Sequence, residues 1–223
     1  METATRQMSF LLAGPERRVL RWIAARLPRR WMPDHLTAIG VAGALTIGAG
    51  YALSIRHPAW LWLATLGLAI NWFGDSLDGT LARVRQIERP KYGYYIDHMV
   101  DAVNTTVIGA GIGFSPYVAM PLALLLVILY LCLSINVYLE SSVHGQFDLG
   151  YGIVGPTEVR ILLALLNTAL FVAAAWSDVR DATLARVANG VVIAVCLGLT
   201  YALAARFRIN LIRLSRLEPP RRL

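Results

Sequence analysis

Four aspartates stand close together in an otherwise strongly apolar chain. Asp75 and Asp78 are three residues apart, and Asp97 and Asp101 are four residues apart. On a helix either spacing places both carboxylates on one face, about one turn apart. Ionisable side chains inside membrane-spanning segments are costly and usually serve a function. These carboxylates are therefore the first candidates for chemistry.

Carboxylates that converge in a poorly hydrated site need positive charge nearby, because like charges repel one another. Their oxygens suit Mg²⁺, Mn²⁺ or Ca²⁺ better than zinc, which prefers nitrogen and sulfur. Four carboxylates are enough for two ions bridged by a shared aspartate, a recurrent device for displacement at phosphorus. The alternative is a set of structural salt bridges with Arg83 and Arg85. The paired helical spacing of all four favours the metal site.

The elements that carry these residues are predicted to be membrane helices. The chain has 223 residues, of which 57% are apolar and only 16% are charged. Six apolar segments approach the roughly 20 residues that a helix needs to cross a bilayer. The fold class is therefore all-α and integral membrane, with six transmembrane helices. The predicted spans are 35–55, 59–82, 93–114, 117–139, 158–177 and 184–206.

Three regions follow from this pattern. Residues 1–34 form an N-terminal cytoplasmic segment, residues 35–207 form the six-helix domain, and residues 208–223 form a basic cytoplasmic tail. Between Pro15 and Trp31 the apolar residues recur at helical spacing, with arginines mostly off that stripe. This pattern predicts an amphipathic helix at the membrane interface. A partner-binding helix is the alternative.

Basic residues fix the predicted orientation. Seven arginines precede the first span, six follow the last, and four basic residues lie between spans two and three. The opposite loops hold only Arg56, Arg180 and Arg186. By the positive-inside rule, both termini and the aspartate-rich segment face the cytoplasm of a bacterial or archaeal cell membrane. Because topology explains the net charge of +7, nucleic-acid binding is not expected.

The residues around the aspartates resemble the signature of the CDP-alcohol phosphotransferase family. That signature reads D-x2-D-G-x2-A-R and then G-x3-D-x3-D, and the two parts are separated here by nine residues. Every fixed position is present: Asp75, Asp78, Gly79, Ala82, Arg83, Gly93, Asp97 and Asp101. Six spans and an N-terminal interfacial helix are also similar to the family, so the resemblance covers most of the chain. Family members move a phosphate-linked group from a CDP-linked donor to an alcohol, release CMP, and commonly work as homodimers.

The resemblance implies roles for individual residues. Asp75, Asp78 and Asp97 would hold Mg²⁺ or Mn²⁺, with two ions expected. Asp101 would be the catalytic base that deprotonates the acceptor hydroxyl while it also contacts a metal. The CDP-linked donor would contact the residues between and beside the aspartates: Asp78, Gly79, Ala82, Arg83 and Gly93.

Selection of the donor or acceptor is assigned to three further candidates, Thr37, Glu158 and Arg160. Thr37 lies in a segment similar to the family's P-N-x-x-T entry, where this chain has Asp34 in place of asparagine. Either Asp34 caps the first membrane helix or it contributes to the phosphate site. Glu158 and Arg160 follow a polar, glycine-rich connection at 140–160, which is either a selection loop or a solvated connector.

The expected reaction is transfer from CDP-diacylglycerol to an alcohol, with release of CMP, in phospholipid biosynthesis. An alternative is a choline or ethanolamine type of phosphotransferase with a diacylglycerol-like acceptor, because DHMVD and GPTE resemble stretches of those enzymes. A membrane prenyltransferase or a cation transporter would also place aspartates in membrane helices. The first normally carries two separated aspartate clusters, and the second binds ions near the bilayer midplane. Both are disfavoured by the single clustered motif.

Overall fold

The fold is entirely helical in the part of the chain that the computed structural model describes, namely residues 12–144, 155–176 and 181–218. Those residues form seven α-helices and one short 3-10 turn at Pro58–Trp60, without a strand. The helices are α1 Ala13–Arg26, α2 Pro33–Leu53, α3 Leu61–Arg85, α4 Pro90–Gly113, α5 Met120–His144, α6 Pro156–Trp176 and α7 Asp181–Leu217. Each of the six predicted spans corresponds to one helix from α2 to α7, so the all-α class is confirmed.

Four of the described helices, α2, α5, α6 and α7, are long and apolar enough to cross a membrane. Helices α3 and α4 contain 25 and 24 residues, which is a sufficient length. Their mean hydropathy is lower because they carry the aspartates and several basic residues. The predicted number of six spans is therefore supported in part, and the two helices that fall short are the ones that carry the candidate site.

Helix α1 lies against the start of α2 and the end of α3. Its buried Leu20 and Ala24 pack with Leu36 of α2 and Leu77 and Leu81 of α3. The opposite face is exposed and carries Trp22 beneath the Arg26 guanidinium, 4.2 Å from the ring centroid. The predicted amphipathic helix is thus present, one face packed on the domain and the other free for a bilayer surface.

Arg85 ties the end of α1 to α3. Its guanidinium donates to the carbonyl oxygens of Leu27 at 3.0 Å and Pro28 at 2.9 Å, and also to that of Trp31. The last carbonyls of a helix lack intrahelical partners, so a cation there satisfies several acceptors at once. Arg85 therefore has a structural role in joining α1, the turn after it and α3.

Glycines allow α2 to pack closely along α3. A Cβ on Gly50 would overlap the backbone of Ala64, and one on Gly74 would overlap the backbone of Gly40. Because positions early in α2 meet positions late in α3, the two helices run antiparallel. Close approach at small residues is a common way to pack helices in membranes, where no hydrophobic force drives them together.

Helix α4 packs on another side of α2. A Cβ on Gly48 would lie 3.0 Å from the Val107 carbonyl oxygen, and one on Gly111 would overlap the Gly48 backbone. Helix α2 therefore lies between α3 and α4. This packing places the aspartate pairs of α3 and α4 at the same end of the bundle.

We expect Gly50→Ala to destabilise the protein by about 1–3 kcal/mol, the usual cost of overpacking a close contact. The added methyl group would push α2 away from the Ala64 backbone of α3. Thermal unfolding of the purified protein in detergent measures the effect. The matched control is Gly198→Ala in α7, whose Cβ would meet nothing within 4 Å. A midpoint that falls equally in both variants would contradict this account of the packing.

Candidate active site

Two polar stripes face the site, one on each side of α2. Helix α3 presents Asn71, Asp75 and Asp78, and α4 presents Asp97, Asp101 and Asn104, each set at helical spacing. Asp101 lies within electrostatic reach of the other three aspartates. Asp78 is likewise within reach of Asp97 and Asp75. The structure therefore brings the four carboxylates into one neighbourhood.

Exposure varies along the two stripes. Asp97 is exposed, Asp75 and Asp101 are half-buried, and Asp78 is buried. The asparagines Asn71 and Asn104 are buried, with exposed fractions of 4% and 6%. The site is thus open to solvent beside Asp97 and closed by amide groups at its inner end. A polar ligand would have to enter from the end that carries Asp97.

Thr37 of α2 holds the buried Asp78. Its hydroxyl donates to Asp78 Oδ2 at 2.7 Å, while the Pro33 carbonyl oxygen is 3.3 Å away. The backbone N–H of Gly79 donates to the other carboxylate oxygen at 2.5 Å. The Thr37 hydroxyl thus lies near both its own helix and the site, and the shorter contact is the one to the site.

Arg160 of α6 reaches the same cluster. Its Nη2 lies 2.5 Å from Asp75 Oδ2, and its Nε donates to Asn71 Oδ1 at 3.0 Å. The remaining nitrogen, Nη1, is buried and finds no hydrogen-bond partner among the described residues. The sequence suggested Arg160 as a residue that selects the donor or acceptor, and Asn71 was not among the predicted site residues. The signal was available, since Asn71 precedes Asp75 by one helical turn.

Glu158, another selection candidate, is engaged in helix capping. Its carboxylate accepts hydrogen bonds from the backbone N–H groups of Gly155 at 3.0 Å and Leu12 at 2.8 Å. A glutamate at the third helical position that bonds back to the N–H before the helix is one half of a capping box, and Gly155 has no side chain to supply the other half. Next to it, Thr157 donates to Glu16 of α1 at 2.5 Å. Glu158 thus secures the start of α6 and the chain that leads into α1.

The donor set suits a hard divalent cation, because it consists of carboxylate oxygens. Among the described residues, however, no three Asp, Glu, His or Cys side chains are gathered closely enough to hold a metal ion. Asp75 is turned toward Arg160, and Asp78 is turned toward Thr37 and Gly79. The residues fit the ion in type and neighbourhood, and one oxygen of Asp75, Oδ2, is engaged by Arg160. The metal site remains a prediction.

The residues expected to contact CDP lie at the ends of α3 and α4 that adjoin their connection. Arg83 is exposed and donates to Thr80 Oγ1 at 3.2 Å. A Cβ on Gly79 would come within 3.5 Å of the Arg83 guanidinium, and a Cβ on Gly93 would meet nothing within 4 Å. Ala82 is half-buried. The Gly93 side of the site therefore has open space, whereas a side chain at position 79 would contact the Arg83 guanidinium.

Two roles were expected for Asp34, a cap of α2 or a part of the phosphate site. It does not cap α2, because the residue before that helix is Met32, whose N–H donates to His35 Nδ1 at 3.3 Å. Instead both Asp34 carboxylate oxygens lie 2.9 Å from Arg89 Nη2. This hydrogen bond raises the pKa of the Arg89 guanidinium above its ordinary value. The exposed pair links the start of α2 to the start of α4.

Helix α5 forms a further wall that the sequence did not reveal. Tyr130 and Tyr138, two turns apart, lie within electrostatic reach of Asp101. The Tyr138 ring contacts His98 edge-on, with centroids 4.3 Å apart. His98 also lies against the Tyr94 ring, with centroids 4.1 Å apart, so it packs among aromatic rings.

The polar 140–160 connection is described only at its ends. Glu140 lies in α5 and pairs with Arg206 of α7 at 3.1 Å. Residues 145–154, including Asp148, and the side chain of His144 lie outside the described residues. A selection role for this connection therefore stays a prediction.

The comparison with family models gives one match, to CDP-alcohol phosphatidyltransferase, over residues 30–166. The matched region includes all four aspartates, Thr37 and Arg160. No curated protein matches the chain. Since the family model covers more than half of the chain, the protein belongs to the CDP-alcohol phosphatidyltransferase family.

We expect Thr37→Val to lower the free energy of unfolding by about 1–3 kcal/mol, the cost of leaving a buried polar group unsatisfied. The variant removes the hydroxyl that bonds Asp78. Thermal unfolding of the purified variant measures this loss of stability. Thr46→Val is the matched control in the same helix, because the Thr46 hydroxyl bonds only its own turn, to Ala42, on the exposed face. Thr37→Ser keeps the hydroxyl and should retain stability. Equal losses at positions 37 and 46 would count against the role of Thr37.

Proposed function

We propose that this enzyme transfers a substituted phosphate group from CDP-diacylglycerol to an alcohol and releases CMP, in phospholipid biosynthesis. Family membership supports transfer of phosphate from a CDP-alcohol. The observation that carries the proposal is that the family's motif residues occupy facing stripes of α3 and α4, within electrostatic reach of one another. Their open end lies beside Arg83 and Gly93, where a nucleotide could enter.

Asp75, Asp78 and Asp97 would hold Mg²⁺ or Mn²⁺, with Asp101 at the edge of the same shell. When bound, such cations neutralise a diphosphate and stabilise the charge on the departing CMP. The donor contacts would come from Asp78 and from the exposed guanidinium of Arg83, which can meet a phosphate. The open space at Gly93 would admit the nucleotide.

Asp101 would act as the general base. It is half-buried and lies within electrostatic reach of the other three aspartates. In the proposed step the acceptor hydroxyl oxygen bonds to the phosphorus that carries the diacylglycerol group, the bond from that phosphorus to the CMP oxygen breaks, and the hydroxyl proton moves to Asp101. No covalent enzyme intermediate is needed.

The competing donor is a CDP-linked aminoalcohol, with a diacylglycerol-like acceptor. The GPTE stretch that suggested this subclass also has a local structural role, because the Glu158 carboxylate accepts from the Gly155 N–H at the start of α6. Both donors therefore enter the test below. CDP-diacylglycerol remains the favoured donor.

The setting of the enzyme is part of the proposal. The distribution of arginines supports a cytoplasmic active site with both termini on that side of a bacterial or archaeal cell membrane. A homodimer is proposed from the resemblance to the family. Large apolar side chains remain exposed on α5, α6 and α7, as lipid contact or a second copy would require.

Purified protein should release CMP from CDP-diacylglycerol when a panel of small polar alcohols is supplied with Mg²⁺ or Mn²⁺. Product lipids and CMP are followed by chromatography. Chelation with EDTA should abolish the release, and either ion should restore it. Release from CDP-ethanolamine with diacylglycerol, but not from CDP-diacylglycerol, would replace the favoured donor by the alternative. No CMP from any donor would contradict the proposed activity.

Asp101→Asn should reduce turnover by about 10²–10⁴-fold, the usual contribution of a general base. Because the amide is nearly isosteric, binding of CDP and thermal stability should change little. Initial rates of CMP release measure the effect. Glu88→Gln, which removes an exposed carboxylate in the α3–α4 connection, serves as the control and should keep the wild-type rate. A wild-type rate in Asp101→Asn would refute the base assignment.

A further inference from the structure

The contact between Arg160 and Asp75 is an ion pair across two helices at the candidate metal site. The guanidinium nitrogen Nη2 lies 2.5 Å from Asp75 Oδ2. The two side chains keep exposed fractions of only 17% and 30%. Attraction between charges is stronger in such a partly dehydrated setting than at a surface. The pair is therefore a substantial constraint on where the Asp75 carboxylate points.

The position of Arg160 is fixed by several helices. The Asn71 side chain donates to the Gly40 carbonyl oxygen of α2 at 2.9 Å, which leaves its own oxygen facing Arg160 Nε. One turn before Arg160, Thr157 bonds Glu16 of α1. Glu16 also accepts from Trp72 Nε1 of α3 at 2.8 Å. Helices α1, α2 and α3 thus set the place from which Arg160 reaches Asp75.

The ion pair between Arg160 and Asp75 also reduces the repulsion among the aspartates. Four aspartates repel one another, and Arg160 lies within electrostatic reach of Asp101 as well as bonded to Asp75. Its positive charge offsets part of that repulsion when no cation is bound. A cation placed among the carboxylates would perform the same task, and it would draw on the Asp75 carboxylate whose Oδ2 Arg160 now engages.

We propose that Arg160 is the built-in counter-ion of the metal-free site and competes with the divalent cation for Asp75. Arg160 then lowers the affinity of the site for the cation and sets the cation concentration at which the enzyme becomes loaded. This inference rests on the metal site of the proposed function. It concerns how tightly the site binds its ion, and it is independent of which donor or alcohol is used.

The test is binding of Mn²⁺ to the purified full-length protein in detergent, followed by electron paramagnetic resonance without donor or acceptor. We expect Arg160→Gln to bind Mn²⁺ about tenfold more tightly than the wild type, which corresponds to about 1.4 kcal/mol. Equal or weaker binding by that variant would overturn the proposal. Asp75→Asn should bind more weakly, because it loses a ligand.

Arg206→Gln is the matched control. Arg206 forms the other largely buried ion pair described here, with Glu140, and its side chain has a similar exposed fraction of 18%. Because that pair joins α5 and α7 rather than α3 and α6, its removal should leave the Mn²⁺ affinity within about twofold of the wild type. An equal gain in both variants would refute a specific competition at Asp75.

A second measurement does not require a binding isotherm. Without metal, Arg160→Gln should unfold at a lower temperature than the wild type, since the carboxylates lose their counter-ion. Addition of Mn²⁺ should raise its midpoint by more than it raises that of the wild type. An equal rise in both proteins would contradict the proposal.

Arg160→Lys decides the matter if the glutamine variant does not fold. Lysine keeps the charge, but its single ammonium group cannot bond Asn71 and Asp75 at once as the guanidinium does. We therefore expect this variant to bind Mn²⁺ more tightly than the wild type. Unchanged binding would overturn the proposal. The outcomes also separate the two proposals. If substitution of Arg160 leaves the Mn²⁺ affinity unchanged, the proposed function stays intact. If neither the wild type nor any variant binds Mn²⁺, the metal site itself is contradicted.

Discussion

Repulsion among carboxylates in a partly dehydrated cleft is the constraint on which the arrangement of this protein depends. Four aspartates on two helices would drive those helices apart unless other contacts held them. Helix α2 supplies the restraint through close packing of Gly50 and Gly40 against α3 and of Gly48 against α4. A hydrogen bond from Thr37 then engages Asp78, and the ion pair with Arg160 engages Asp75. Close helix packing and charge compensation therefore act together to keep the aspartates of α3 and α4 near one another.

The division of labour among the cations illustrates how position decides function. Arg85 and Arg160 are both arginines at the same end of the bundle. Arg85 bonds carbonyl oxygens at the end of α1 and so joins helices, whereas Arg160 faces the aspartates. Arg89 stays exposed and pairs with Asp34. The sequence alone does not distinguish these three arginines. Only the direction of each side chain in the fold shows which one has a structural role and which one faces the site.

The sequence predicted the helices well because apolar length is a local property. Spans 93–114 and 117–139 correspond closely to α4 and α5, and the spacing of the aspartates placed them on shared faces. What it could not predict were contacts between residues distant in the chain. The bond from Thr37 to Asp78 and the approach of Asn71 to Arg160 depend on how helices pack, which neither period nor composition encodes. For the same reason Tyr130 and Tyr138 were not expected beside Asp101.

The place of Arg160 late in the chain has a consequence for biogenesis. Synthesis proceeds from the N-terminus, so the ribosome completes α2, α3 and α4 before α6. The hairpin of α2 and α3 can close early through its glycines, but the aspartates of α3 and α4 then lack Arg160. Insertion into the bilayer therefore passes through a stage at which the acidic cluster has not yet met its own cation. Nascent chains that end before α6 therefore carry the acidic cluster without Arg160.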